Sequence, residues 1–177
     1  MNTIVQEKDR TPESAGFRPF LKSKFFMVII LLLLSFYWYA NQLVLSINPD
    51  NNQQRVSYTT HIGDVWHIEF IHSVQKTPVQ EYFVVRGADD LLLTTTKYKS
   101  LGVGLPFLPS EGKMYVNTDG CFVLEINRPF QSVKLRTGLE ATPSIYYPGG
   151  VYLIYKMYEP GTLVEIKAEK RYKLWFN

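Results

Sequence analysis

The side chains best suited to chemistry gather in one stretch of the chain, residues 70–83. His72 and Ser73 stand side by side there, a pairing that would suit a hydrolase if the imidazole could take the serine proton. Adjacent residues of a strand point to opposite faces, so His72 cannot easily serve as the base for Ser73. The chain also lacks the Gly-x-Ser-x-Gly elbow of many hydrolases. We therefore expect no catalytic residue and no enzyme.

The same stretch predicts a corner between two strands. Thr77-Pro78 bends the chain, and Glu81 on the returning strand is placed to accept a hydrogen bond from His72 or Lys76. A partly buried carboxylate–imidazole pair would keep the imidazole charged. Two interpretations remain open: the network satisfies a polar patch in the sheet, or it presents a docking or ligand surface. The candidate binding residues of this first motif are His72, Ser73, Lys76, Thr77, Pro78 and Glu81.

A second motif, residues 100–106, combines glycines with apolar residues. It is not a dinucleotide fingerprint, because the third glycine is absent and Pro106 forbids a normal helical continuation. The glycines allow backbone turns that are closed to other residues. The apolar residues around them either plug one end of the domain or form an exposed patch that meets a partner. The candidate binding residues here are Ser100, Gly102, Gly104, Leu105 and Pro106.

The other potential ligands do not suggest a metal site. The histidines are His61, His67 and His72, and the acidic residues have no ligand spacing. Cys121 is the single cysteine, which excludes an intrachain disulfide framework and a cysteine-rich zinc site. We expect no metal and no cofactor.

Together the two motifs resemble a family of uncharacterised small membrane-anchored proteins that accompany TAXI-type TRAP (tripartite ATP-independent periplasmic) transporters. The resemblance covers roughly residues 56–168, and the two motifs are its specific part. It implies an association with a TRAP permease, with a TAXI solute-binding protein, or with both, and it implies no reaction. The chain departs from the family at Leu101, where an aromatic residue is common. The matching positions are His72, Ser73, Val74, Lys76, Thr77, Pro78 and Glu81, then Ser100, Gly102, Gly104, Leu105 and Pro106.

Residues 25–47 contain no charged side chain and are long enough to cross a bilayer as a helix. Five basic residues precede the segment, whereas Arg55 is the only one in the first twenty residues after it. The positive-inside rule therefore places the N-terminus in the cytoplasm and the rest outside, in the periplasm or beyond the cell. A cleaved signal peptide and a buried core helix are the alternatives. A signal peptide needs a small residue where the chain has Trp38.

The remainder alternates short apolar strands with turns, which predicts an antiparallel β-sandwich or a barrel-like domain after the single transmembrane helix. Trp66, Ile68 and Phe70 recur at period two, and residues 117–120 read as a hairpin turn. Residues 151–158 suit a strand or a short helical turn, and residues 171–176 suit a last strand. The predicted division is a cytoplasmic segment 1–24, an anchor 25–47, a linker 48–55 and an external β domain 56–177.

Charge and composition narrow the function classes. The chain has 177 residues and a net charge of +3, of which residues 1–24 supply +2 through five basic and three acidic groups. The external domain is thus nearly neutral, which argues against a nucleic-acid partner. We expect a non-catalytic, membrane-anchored accessory subunit or partner of a TAXI-type TRAP transporter for solute uptake. The alternative is a stand-alone envelope module that binds a small ligand at the His72–Glu81 corner.

Overall fold

One long helix opens the described part of the chain. The structure, a computed structural model, describes residues 18–100 and 112–176, and the side chains from residue 23 onward. Helix α1 spans Arg18–Ala40, and its part from Ser23 to Ala40 is long and apolar enough to cross a membrane. Nearly all of the side chains described for it, from Ser23 to Ala40, are exposed, which does not fit the alternative of a buried core helix. A membrane anchor and a signal sequence both fit this helix.

The predicted anchor 25–47 and linker 48–55 are wrong at their shared boundary. The helix ends at Ala40, and strand β1 runs from Leu43 to Pro49. Leu45 and Ile47 are fully buried in the core of the β domain. An uncharged apolar run suits a lipid-facing helix and a core strand equally well, so the sequence shows no border between them.

The β domain is an antiparallel sandwich, as predicted, formed by residues 40–177 as one compact unit. After β1 the strands are β2 Val56–Thr59, β3 Val65–Ile71, β4 Pro78–Gly87, β5 Asp90–Tyr98, β6 Lys113–Val116, β7 Phe122–Phe130, β8 Val133–Arg136, β9 Ser144–Tyr147, β10 Gly150–Tyr152 and β11 Leu163–Lys170. One sheet has four strands in the order β2-β1-β11-β8. The other has seven, in the order β10-β9-β3-β4-β5-β7-β6.

Two segments with predicted strands contain short helices in the structure. Residues 151–158 contain both predicted forms, because β10 ends at Tyr152 and a one-turn helix α2 spans Ile154–Met157. The predicted last strand at residues 171–176 is wrong, since Arg171–Trp175 forms a 3₁₀-helix. The hairpin at residues 117–120 is confirmed: β6 and β7 pair across it, and Gly120 adopts a positive φ of 73°.

The core lies between the two sheets and follows the period-two pattern of the strands. Trp66 of β3 stacks on Phe83 of β4 with ring centroids 4.7 Å apart, and both side chains are almost fully buried. Val164 and Ile166 of β11 cover them from the four-stranded sheet, in the same buried cluster. Burial of these side chains is the main stabilising contribution to the sandwich.

A main-chain hydrogen bond joins the sheets at one end of the sandwich. At the tip of the β4–β5 hairpin the Asp89 N–H donates to the Ala168 carbonyl of β11 at 2.7 Å. Nearby the Gly63 N–H donates to the Val85 carbonyl at 2.8 Å. The turn between β3 and β4 lies at the other end, because β4 runs antiparallel to β3. This second end holds the first motif.

We expect the β domain to require β1. A chain that begins at Asn41 keeps this strand and should unfold cooperatively in urea. A chain that begins at Asp50 loses a strand that pairs on both sides, and it should fail to fold. The point variant Ile47→Ala should lower the free energy of unfolding by about 2–5 kcal/mol. Near-UV circular dichroism during urea titration checks all three, and a cooperatively folded chain from Asp50 would contradict the place of β1 in the domain.

Candidate functional site

The first motif forms the turn between β3 and β4, with His72 at its centre. This residue is buried, its N–H donates to the Thr77 carbonyl, and its carbonyl accepts from the Lys76 N–H, both at 2.9 Å. The ring Nδ1 accepts hydrogen bonds from the N–H groups of Val74 and Gln75, each at 3.2 Å. Accepting them requires a lone pair on Nδ1. The imidazole therefore shapes the turn.

The predicted carboxylate–imidazole pair is wrong. In the described part of the chain Glu81 accepts no hydrogen bond from His72 or Lys76, because both lie in the turn beyond the end of the sheet whereas Glu81 lies within β4. The Lys76 Nζ instead donates to Glu140 Oε2 at 2.9 Å, and this bond lowers the pKa of the Glu140 carboxyl. Both partners are exposed, so the pair contributes little to stability. Ser73 is exposed on the same turn.

The first motif contacts Ser100, the first residue of the second motif, where β4 begins and β5 ends. Val79 and Tyr98 are partners in the β4–β5 ladder, which brings the residues on either side of them together. The Thr77 and Ser100 hydroxyl oxygens lie 3.4 Å apart, and the Ser100 Oγ donates to Gln75 Oε1 at 3.3 Å. Residues far apart in the sequence thus share one hydrogen-bonded cluster.

The structure describes only some of the remaining motif residues. Pro78 opens β4 opposite Ile71, and it needs no donor there because it is the first residue of the strand. The rest of the second motif, Gly102, Gly104, Leu105 and Pro106, lies outside the described residues. Its two interpretations, plug and exposed patch, therefore stay predictions.

Glu81 occupies the inner face of the seven-stranded sheet. Its ladder partners are Ile68 on β3 and Thr96 on β5, and it lies in the apolar register of β4. Burial raises the pKa of the Glu81 carboxyl, and the charge of Arg128 opposes that rise. The Glu81 side chain is only partly buried, whereas the buried Thr96 Oγ1 of the neighbouring strand has no hydrogen-bond partner among the described residues. A partly buried carboxylate thus lies beside an unsatisfied hydroxyl on the inner face of the sheet.

A cavity of about 250 Å³ opens beside Glu81, between the two sheets. Both sheets and the loop before β9 contribute its walls, which are mostly apolar. The cavity is smaller than the roughly 300–1,000 Å³ typical of sites for drug-sized ligands, so it suits a smaller molecule. Its lining consists of Ile68, Phe70, Glu81, Val133, Lys134, Leu135, Arg136, Ala141 and Pro143.

Sequence reasoning selected Glu81 but missed the other residues of the cavity. A signal for its inward position was present, because Val79, Phe83 and Val85 alternate along β4 and Glu81 falls in the same register. No comparable signal pointed to Leu135, since a short alternating strand does not reveal which strand faces it.

The cavity lies entirely within a region that matches a known protein family. Residues 67–154 match the family model described as Domain of unknown function (DUF1850). The chain contains a DUF1850 domain. Every residue that lines the cavity belongs to the matched region, whereas β1, β2 and β11 lie outside it and complete the sandwich. No curated protein matches the chain, and no solved structure matches it either.

We expect the stability of the β domain to depend on pH through Glu81. Its raised pKa means that the protonated carboxyl stabilises the fold, and this contribution is lost as the pH rises through the folded-state pKa. Glu81→Gln should match the unsubstituted chain at acidic pH and exceed it near pH 8 by roughly 1 kcal/mol. Urea unfolding across this pH range measures the difference, and equal curves at all pH values would contradict the buried position of the carboxylate.

Glu165 provides a control of opposite sign. A hydrogen bond from the Ser132 hydroxyl lowers the pKa of the Glu165 carboxyl, with help from Lys134. Its contribution to stability is therefore present above the unfolded-state pKa and is lost as the pH falls. Glu165→Gln should be less stable than the unsubstituted chain at neutral pH and should approach it in acid. Comparing the two Glu→Gln variants therefore distinguishes the effect of carboxylate burial on stability from the effect of removing any negative charge.

Proposed function

We propose that the chain is a membrane-anchored, non-catalytic accessory partner of a TAXI-type TRAP transporter for solute uptake. The observation that carries the proposal is the meeting of the two motifs. Thr77 of the first motif and Ser100, the described residue of the second, lie within hydrogen-bonding distance at one end of the domain. A surface assembled from distant parts of the chain suits contact with another protein, here the permease, the TAXI solute-binding protein or both.

The apolar helix and the charge pattern support a single-pass arrangement in the cytoplasmic (inner) membrane. Residues 23–40 are long and apolar enough to cross a bilayer, and the excess of basic residues precedes them. This distribution favours a cytoplasmic N-terminus and a periplasmic or extracellular β domain. One helix cannot form a transport path by itself, so the proposed role is accessory to a separate permease.

The cavity favours a second candidate, a stand-alone envelope module that binds a small ligand. The His72–Glu81 corner of the sequence prediction is not one site, because the two side chains belong to different surroundings. The cavity beside Glu81 takes its place, since it combines apolar walls with a partly buried carboxylate. The two candidates are compatible, because an accessory subunit can also bind a solute.

Co-purification from native membranes tests the accessory role. Mild detergent extraction of the full chain should recover a multi-spanning TRAP permease or a TAXI solute-binding protein, identified by mass spectrometry. Val74→Asp, on the exposed turn of the first motif, should lower that recovery about tenfold, which corresponds to a loss of about 1.4 kcal/mol in binding free energy.

A matched variant distinguishes contact from general surface charge. Ile62 is as exposed as Val74, at 72% against 66%, but it lies in the loop at the opposite end of the sandwich. Ile62→Asp should therefore leave the recovery unchanged. Recovery of the chain alone, or equal losses for the two variants, would refute the proposed partnership through this end of the domain.

A further inference from the structure

We infer that the open edge of β8 binds an extended peptide segment of a partner protein. The segment adds a further strand to the four-stranded sheet, with acidic side chains on the outer face and an apolar side chain in the cavity between the sheets. The inference goes beyond the proposed functions, because it specifies a mode of recognition that holds whichever protein supplies the segment.

Strand β8 ends the four-stranded sheet on one side, where no described strand pairs with it. The Thr137 N–H, one residue beyond the strand, donates toward β11, to the Thr162 carbonyl at 2.9 Å. Successive residues of an antiparallel strand direct their main-chain groups alternately to its two sides, so Leu135 bonds to β11 as well. The N–H and carbonyl groups of Lys134 and Arg136 therefore face the open edge, where a further strand can pair with them.

The gap between the sheets is closed at one edge of the small sheet and open at the other. Tyr58 of β2 stacks on Tyr147 of β9 with ring centroids 3.9 Å apart, so aromatic rings close the far edge. Beside β8 lies the cavity of about 250 Å³, which Val133 and Leu135 line together with Phe70 of β3. A strand added to β8 continues the inward row of Val133 and Leu135, so one of its alternate side chains reaches this cavity.

The cavity suits a single apolar side chain. Ile68 and Phe70 of β3 and Ala141 and Pro143 of the loop before β9 contribute apolar walls, and the volume is below that of sites for drug-sized ligands. Glu81 is the acidic residue of the lining, and burial raises the pKa of its carboxyl. A second carboxylate next to it would be unfavourable. Acidic side chains of the bound segment therefore belong on the outer face.

The outer face of β8 carries two positive charges. The Lys134 Nζ lies 3.5 Å from Glu165 Oε1, and 60% of the Lys134 side chain remains exposed. The Arg136 Nη1 donates to the Gly161 carbonyl at 2.9 Å, which fixes the guanidinium group without neutralising it. None of the described carboxylates forms an ion pair with Arg136. Acidic side chains opposite Lys134 and Arg136 in the added strand complement both charges.

The same charges disfavour a second copy of this chain at the edge. If β8 of one molecule paired with β8 of another, in either direction, basic side chains would face basic side chains on the outer face. Like charges directly opposite each other destabilise a strand pair, and basic residues on an edge strand are a common protection against self-association. The edge therefore suits a different chain, one that carries the opposite charge.

Amide hydrogen exchange, measured by NMR on the full chain in detergent, tests the open edge. The N–H groups of Lys134 and Arg136 should exchange rapidly in the free chain, whereas that of Leu135 should be protected by β11. The probe is the synthetic peptide acetyl-Thr-Glu-Val-Glu-Leu-Glu-Thr-amide, and at saturation it should slow exchange at Lys134 and Arg136 at least about tenfold. Slow exchange at both positions without peptide would assign the edge to a segment of the chain itself and overturn the inference.

Two matched peptides separate the contacts. Replacing the glutamates by lysines reverses the outer charges. N-methylation of the glutamate amides keeps every side chain but removes the donors opposite Lys134 and Arg136. Fluorescence anisotropy should show that both peptides bind at least about tenfold more weakly than the probe. Equal binding of the lysine peptide would overturn the charge complementarity, and equal binding of the N-methylated peptide would overturn strand addition.

A charge reversal in the chain tests the assignment to β8. Arg136→Glu should weaken binding of the glutamate peptide about tenfold and strengthen binding of the lysine peptide, a reversal that loss of the fold would not produce. Lys113→Glu, on the exposed edge strand β6 of the other sheet, is the matched control and should change neither affinity. Circular dichroism establishes that both variants fold. Equal effects of the two substitutions would refute a contact at β8.

The outcomes are separate from those of the proposed functions. Absence of binding by the glutamate peptide would overturn the inference, whatever protein co-purifies from membranes. A dimer of the chain in sedimentation that dissociates when the peptide is added would assign the edge to a second copy and overturn the partner segment. Neither result bears on co-purification through the first motif, which tests the accessory role independently.

Discussion

The ladder between β1 and β11 is the interaction on which the rest of the β domain depends. It pairs Leu43 with Lys170 at one end and Pro49 with Val164 at the other, without a register shift. Because β8 joins the four-stranded sheet only through β11, this ladder also supports the second wall of the cavity. The strands of the DUF1850 match therefore rely on partners that lie outside it.

The two ends of the sandwich differ in structure. At the β4–β5 tip, a main-chain hydrogen bond from the Asp89 N–H to the Ala168 carbonyl joins the sheets directly. Elsewhere a cavity opens between the sheets, and the partly buried Glu81 carboxylate lines it from the inner face of the seven-stranded sheet. Burial makes this carboxylate costly to ionise, and it therefore raises the pKa of Glu81.

Several parts of the fold could be predicted because they depend on local pattern. The alternation of Trp66, Ile68 and Phe70 predicted an inner face, and Asp119-Gly120 predicted the hairpin that the structure contains. The predicted last strand at residues 171–176 is wrong, because Arg171–Trp175 forms a 3₁₀-helix despite its alternating pattern. The Arg171 N–H at its start donates to the Gln42 carbonyl. At the candidate site, the sequence revealed both motifs but not the contact between Thr77 and Ser100. That contact depends on the pairing of β4 with β5, which the sequence pattern does not show.

The sequence by itself determined the class of the protein: an uncharged apolar helix, a nearly neutral β domain and two polar motifs. These properties follow from the composition of each segment and from the alternation of apolar and polar residues over short stretches. Only the tertiary structure decided that Leu43–Pro49 belongs to the domain, that Glu81 turns away from His72, and that β8 faces Glu81 across a cavity. The physical reason is common to all three. An apolar run or a charged side chain has no fixed environment until a distant strand covers it, and that pairing is a property of the whole chain.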